Sequence, residues 1–124
     1  MVINKLEWAT RALAQTAEKQ LELFPDFVNT ADELALIWEE ALENLHSLKC
    51  KVSAEQMAAI SILDNYIISL SGEKNADFWT EDALRNSAQW DEIRNLAVVA
   101  AEKMHWSIGF PGKSEDVYIG GPKE

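Results

Sequence analysis

Glycine and proline are scarce in the first 106 residues of this chain of 124 residues. In that stretch Gly72 is the only glycine and Pro25 the only proline. Because these residue types interrupt helices, their scarcity predicts helices joined by short turns. The other glycines and prolines lie in residues 107–124. We therefore expect a helical domain over residues 1–106 and a Gly/Pro-rich tail that packs on it or trails from it.

Other features are absent as well. Cys50 is the only cysteine, so an internal disulfide is excluded, which fits a reducing compartment. The longest apolar run is six residues, 96–101, whereas a membrane-spanning helix needs about 20. The first eight residues have neither the basic nor the apolar segment of a signal peptide. We expect a cytoplasmic protein without a membrane partner.

Acidic residues dominate the charge of the chain. Twenty-one Asp and Glu face eleven Lys and Arg, which gives a formal net charge of −10. Such a field repels nucleic acid, so we expect no DNA or RNA partner. It also favours solubility, and it speeds encounter with a basic protein.

Apolar residues recur at helical spacing in four long segments, and capping signals mark several starts. The first segment covers about residues 5–23, and the last covers about 88–106. Between them, Thr30 with Glu33 and Ser53 with Gln56 have the spacing of capping boxes. Thr80, followed by two acids, predicts a short helix. We expect an all-α bundle of four main helices plus one short helix, mostly antiparallel.

The third long segment, which begins at Ser53, is apolar on most sides. Ile62 and Ile68 lie outside its main apolar stripe. We therefore expect the third helix to be the most buried. Exposure of either isoleucine would instead favour a homo-oligomer.

Five tryptophans are many for this length. Trp38 and Trp90 lie on apolar stripes, and we expect both in the core. Trp8, Trp79 and Trp106 lie near helix ends. Each could close the end of the bundle, and one of them could be an exposed anchor for a partner.

Both histidines follow a glutamate by three residues, as Glu43-x-x-His46 and Glu102-x-x-His105. Paired Glu-x-x-His motifs of this kind hold di-iron or di-manganese centres in four-helix bundles. In an up-down bundle, Glu7 and Glu55 would share their level. Helical spacing opposes such a site, because Glu43 and Glu102 lie about 160–180° from their apolar stripes and therefore point outward.

Signals of catalysis are absent. The sequence has no glycine-rich phosphate loop and no nucleophile elbow. Cys50 lies between two lysines, which could lower its pKa, but a cysteine at a helix end is more often a bystander. We expect neither enzymatic activity nor a cofactor.

Two acidic clusters are candidate partner-binding surfaces. One lies on the second helix, and the other surrounds the short helix and the start of the last helix. The second is more suggestive, because tryptophans interleave with its acids in the manner of an interface hot spot. The two sets of candidate residues are Glu39, Glu40 and Glu43, and Asp77, Trp79, Glu81, Asp82, Asp91 and Glu92.

Residues 78–106 resemble the C-terminal pattern of small acidic bacterial immunity proteins of contact-dependent or colicin-like toxin systems. The similarity rests on a tryptophan, an Ala-Leu pair, a spaced Ser-x-x-Trp-x-x-Ile-Arg-x-x-Ala motif and a final tryptophan, here Trp79, Ala83-Leu84, Ser87 to Ala97 and Trp106. The resemblance implies a stoichiometric inhibitor whose acidic face covers the basic cleft of a toxin domain.

The sequence therefore predicts a non-enzymatic, acidic protein-binding domain, most concretely an immunity protein with a basic partner. Two alternatives stay open. One is a metal-binding bundle that uses the Glu-x-x-His pairs. The other is a homo-oligomeric structural protein that uses spare apolar helix surface.

Overall fold

The computed structural model describes residues 5–25, 28–45, 52–71 and 73–109, with the backbone alone for 44–45 and 73–75. All regular elements in these ranges are helical, which confirms the all-α prediction. Four longer helices, α1, α3, α4 and α6, form the bundle, and shorter segments join them. Their bounds are α1 Lys5–Leu13, α2 Ala17–Glu22, α3 Thr30–Leu45, α4 Ala54–Ser69, a 3₁₀ helix Glu73–Phe78, α5 Glu81–Asn86 and α6 Ala88–Lys103.

The prediction of one helix over 5–23 was wrong, because the chain turns between α1 and α2. Thr16 caps α2 by accepting a hydrogen bond from the backbone of Lys19. The buried Gln20 side chain folds back and donates to the carbonyls of Ala12 and Leu13, each at 3.2 Å. These bonds satisfy carbonyls that the end of α1 would otherwise leave unpaired.

Capping predictions had mixed outcomes. The Ser53–Gln56 capping box at the start of α4 is confirmed, with both reciprocal hydrogen bonds formed. Thr80 caps α5 as predicted, accepting from the backbone of Ala83 at 3.1 Å. At α3 the predicted Thr30 cap was wrong. Asn29 caps instead, since its side chain accepts from the backbone of Asp32.

Helix α6 ends at Lys103, three residues before the predicted end at 106. Its C-terminal turn is a Schellman motif, in which Trp106 N–H bonds to Ala101 and His105 N–H bonds to Glu102. His105 takes the left-handed position of this motif, with φ 64°. Glycine is usual there because a side chain makes the conformation unfavourable.

The main helices pack in an open chain of neighbours. Helix α4 packs on α6, α6 on α1, and α1 on α3, whereas α3 and α4 are not close neighbours. Both outer pairs are antiparallel: Lys5 at the start of α1 pairs with Glu40 in the second half of α3, and Glu55 at the start of α4 pairs with Lys103 at the end of α6. As far as the described residues show, the bundle is therefore open between α3 and α4.

Burial follows this arrangement. Trp38 and Trp90 are each 1% exposed, which confirms them as core residues, and Trp8 is fully buried. The expectation that the third helix is the most buried was wrong. Ile62 and Ile68 of α4 are 56% and 57% exposed, because none of the described helices packs closely on that part of its surface.

Residues just beyond α6 contact α1 and the turn that follows it. The side chain of Gln15 donates to the carbonyl of Ile108 at 2.7 Å, and Arg11 donates to the carbonyl of Gly109 at 3.2 Å. The predicted tail lies outside the described residues from 110 onward. Within the described ranges, no helix has the length and apolar character that a bilayer crossing would need.

Candidate functional site

The first acidic cluster borders the open side of the bundle. The α3–α4 groove is a cavity of about 430 Å³ between these helices. Its walls contain Glu39 and Glu43 from α3 and Asp64 from α4. Its apolar lining comes from Ala35, Trp38, Leu42, Ile67 and Ile68.

Asp64 and Trp38 join the two walls of the groove. The indole N–H of Trp38 donates to Oδ1 of Asp64 at 3.1 Å. Trp38 is 1% exposed and belongs to the hydrophobic core. Its hydrogen bond therefore connects Asp64 on α4 to a core residue of α3 at the base of the groove. The groove therefore has a fixed apolar base beneath solvent-exposed acids.

The acids of the groove have no counterion in the ranges that the structure describes. Within the described part of the chain, no Lys, Arg or His lies within ion-pair distance of Glu39, Glu43 or Asp64. Glu40, which the sequence grouped with them, is different, because it pairs with Lys5 at 3.3 Å. The cluster thus divides into groove carboxylates that no described cation pairs with, and Glu40, which forms an ion pair between α1 and α3.

The second acidic cluster lies over an aromatic corner, which we define as Phe78, Trp79 and Trp90. The rings of Phe78 and Trp90 stack with centroids 5.1 Å apart, and Trp79 meets both edge-on. Both indole N–H groups are used internally: Trp90 donates to the carbonyl of Phe78, and Trp79 to the carbonyl of Leu70. The tryptophans that made this cluster suggestive are therefore engaged in packing, with Trp79 half-buried.

Arginines neutralise two acids of this second cluster. Arg85 pairs with Glu81 at 3.1 Å, and Arg94 pairs with Asp91 at 2.9 Å. Arg94 also lies 5.9 Å from the centre of the Trp90 ring and donates to the side chain of Gln20 and to the carbonyl of Leu84. Burial lowers the pKa of Arg94, and the neighbouring Asp91 opposes that shift.

Two of the three remaining acids of the cluster lie around a second depression of about 440 Å³, which is more open than the groove. Asp77 and Asp82 line it together with Asn86 and Gln89. Asp82 accepts a hydrogen bond from Asn86 at 3.2 Å. Glu92 is exposed on α6 and does not line the depression.

The paired Glu-x-x-His residues do not form a cluster that could hold a metal among the described residues. Glu43 is exposed, and His46 lies outside the described residues. Helix α6 ends between Glu102 and His105, so these two do not share a helical face. Glu7 and Glu55, considered as further ligands, pair with Arg11 at 3.2 Å and Lys103 at 2.6 Å.

Sequence reasoning missed the α4 side of the groove, namely Asp64, Ile67 and Ile68. One signal was available, because Asp64 is the only charged residue in the apolar stretch 57–70. A single charge in such a stretch usually has a specific partner, and here the partner is the Trp38 indole.

Comparison of the chain with protein-family models, with curated proteins and with solved structures gives no match.

Proposed function

We propose that this chain is a non-enzymatic protein-binding domain that neutralises a basic protein, most concretely an immunity protein acting on a bacterial toxin domain in the cytoplasm. The observation that carries the proposal is the α3–α4 groove, where carboxylates that have no counterion among the described residues surround an apolar base. Interfaces commonly combine an apolar centre with a charged rim.

Charge supports the same function. The net charge of −10 steers a basic partner toward the protein and raises the association rate at low salt. A toxin domain that acts on nucleic acid carries a basic cleft, since it must bind phosphates. An acidic surface that occupies this cleft competes directly with the toxin's substrate.

We favour the groove over the aromatic corner as the partner-binding site because its acids are not paired with cations of the described chain. Cations of the chain itself already pair with Glu81 and Asp91 near the corner, whereas Glu39 and Glu43 have none among the described residues. Unpaired acids gain more from a basic partner, because no existing ion pair has to be broken.

The experiment is a pull-down from lysate of the native host at low and moderate salt, read by mass spectrometry. Wild type should retain one basic protein in near-equal amount and lose it as salt rises. Glu39→Lys/Glu43→Lys should weaken capture at least about tenfold, since two attractive contacts become repulsive. The matched control, Glu81→Lys/Glu92→Lys, makes the same charge change and should retain the partner. The captured protein's toxicity should fall with 1:1 titration.

Two results would contradict the proposal. If the control variant loses the partner and the groove variant keeps it, the partner binds near the aromatic corner. If neither variant changes capture, the acidic surface serves solubility alone.

A second candidate function, a homo-oligomeric structural protein, is favoured by one observation. Ile62 and Ile68 are both more than half exposed, and Leu36 is 50% exposed. Sedimentation of wild type beside Ile62→Ser and Ile68→Ser decides this candidate. A concentration-dependent oligomer that either substitution dissolves supports it, and a monomer throughout excludes it.

A further inference from the structure

No described element packs between α3 and α4 at the α3–α4 groove. Residues from Ala35 to Glu43 line one wall, a span of about 12 Å at 1.5 Å per residue. Asp64, Ile67, Ile68 and Ser71 form the facing wall. About two turns of another helix have this length.

The lining has two chemical zones. Leu42 and Ile67 provide apolar surface at the base, and Ile68 adds an apolar edge that is 57% exposed. Glu39 and Glu43 lie one helical turn apart on the opposite wall. A side chain that fits the base must be apolar, and its neighbours must be cationic to match the rim.

The mode of recognition follows from the secondary structure. Three common modes of peptide recognition are the addition of a strand to a sheet edge, the docking of a helix in a groove and the docking of a polyproline segment in a groove. The described residues contain no strand to extend. Polyproline segments dock on exposed aromatic rings, whereas the groove's aromatic residue, Trp38, is 1% exposed.

From these observations we infer that the α3–α4 groove binds an amphipathic basic helix of the partner protein, with an apolar residue on Leu42, Ile67 and Ile68 and with Lys or Arg facing Glu39 and Glu43. The inference rests on the proposed function and specifies the element of the partner that is recognised. A second copy of this chain is a poor occupant, because its charge of −10 would face the same acids.

The test uses the full-length protein and a synthetic helical peptide of about four turns with leucines on one face and lysines on the other. One control peptide has the same composition in an order that gives no apolar face, and another has glutamate in place of lysine. The readout is the ¹H–¹⁵N signal of each tryptophan indole. The Trp38 signal is assigned by its loss in Trp38→Phe, and the Trp79 and Trp90 signals serve as internal references.

The amphipathic basic peptide should shift the Trp38 signal saturably and leave the Trp79 and Trp90 signals in place. Ile68→Ser should weaken this binding about tenfold or more, since an apolar contact is lost. Ile62→Ser is the matched control: Ile62 is equally exposed, does not line the groove, and should be neutral. The glutamate peptide should not bind.

Four outcomes would overturn the inference. In the first, the control peptide without an apolar face binds as tightly as the amphipathic one; in the second, only the Trp79 and Trp90 signals shift. In the third, Ile62→Ser weakens peptide binding as much as Ile68→Ser does. In the fourth, the protein self-associates and Ile68→Ser abolishes that self-association. Each leaves the proposed function standing if Glu39→Lys/Glu43→Lys still prevents capture of the partner. Conversely, peptide binding in the groove with unchanged capture by that variant refutes the proposed function.

Discussion

The two acidic surfaces look alike in sequence and differ in what lies beneath them. Around the aromatic corner, acids pair with Arg85 and Arg94, and the tryptophans pack on one another. In the α3–α4 groove, the acids have no counterion among the described residues, and they surround apolar side chains that are partly open to solvent. The difference shows that acids next to aromatic residues in a sequence do not by themselves identify a binding surface. The acids must also be free of internal ion pairs, and the aromatic rings must not be packed inside the fold.

The largest expected effect tests the structural role of the aromatic corner. Trp90→Ala removes a 1% exposed ring that stacks on Phe78 and donates to its carbonyl. We expect unfolding free energy to fall by about 3–5 kcal/mol, measured by urea denaturation. Trp90→Phe, which keeps much of the ring packing, should cost less. A loss below about 1 kcal/mol for Trp90→Ala would contradict a structural corner and reopen it as a binding surface.

A smaller, stabilising effect is expected at the opposite end of α6. His105 has a φ of 64° and is exposed, so its side chain adds strain to the Schellman motif and little packing. His105→Gly should raise the unfolding free energy by about 0.5–1 kcal/mol, after the added freedom of the unfolded glycine is subtracted. His105→Ala keeps the strain and should give no gain. Destabilisation by glycine would mean that the imidazole makes a contact of its own.

The smallest expected effect concerns Glu55, which forms an ion pair with Lys103 as the acids at the corner do with their arginines. A hydrogen bond from Lys103, together with its charge, holds the pKa of Glu55 below its ordinary value of 4.5. A lowered folded-state pKa means that the stabilisation is complete above the unfolded-state pKa and disappears as pH falls through the folded-state value. Wild type should therefore exceed Glu55→Gln in stability at neutral pH, and the two should converge below pH 4.5.

The measurement is urea denaturation of both proteins across this pH range. Because the pair is exposed to solvent, added salt should shrink the difference. A difference that persists unchanged at low pH would show that the Glu55→Gln substitution disturbs the helix start for another reason.

Local hydrogen bonds explain which predictions succeeded. The Ser53–Gln56 box and the Thr80 cap involve residues three apart, so short sequence windows contain the whole interaction. The turn at Thr16 was missed because the apolar spacing of the first segment continues across it. The bond from Gln20 to the carbonyls of α1 forms only once the chain has turned.

Residues of the groove show what local sequence patterns cannot predict. The sequence indicated Glu39 and Glu43 through their charge, but it could not place Asp64 beside them. Trp38 and Asp64 are 26 residues apart, and their hydrogen bond depends on how α3 and α4 are held by α1 and α6. The burial of α4 was overestimated because its composition does not reveal that α3 is not packed closely against it.

The sequence by itself determined the helical class, the helix starts that local side chains cap, and a negative charge that no fold could remove. Only the tertiary structure decided which acids are paired, which tryptophans are enclosed and where the bundle stays open. Those properties depend on contacts between segments distant in the chain. They form when α1 and α6 pack between α3 and α4 and leave the outer two helices apart.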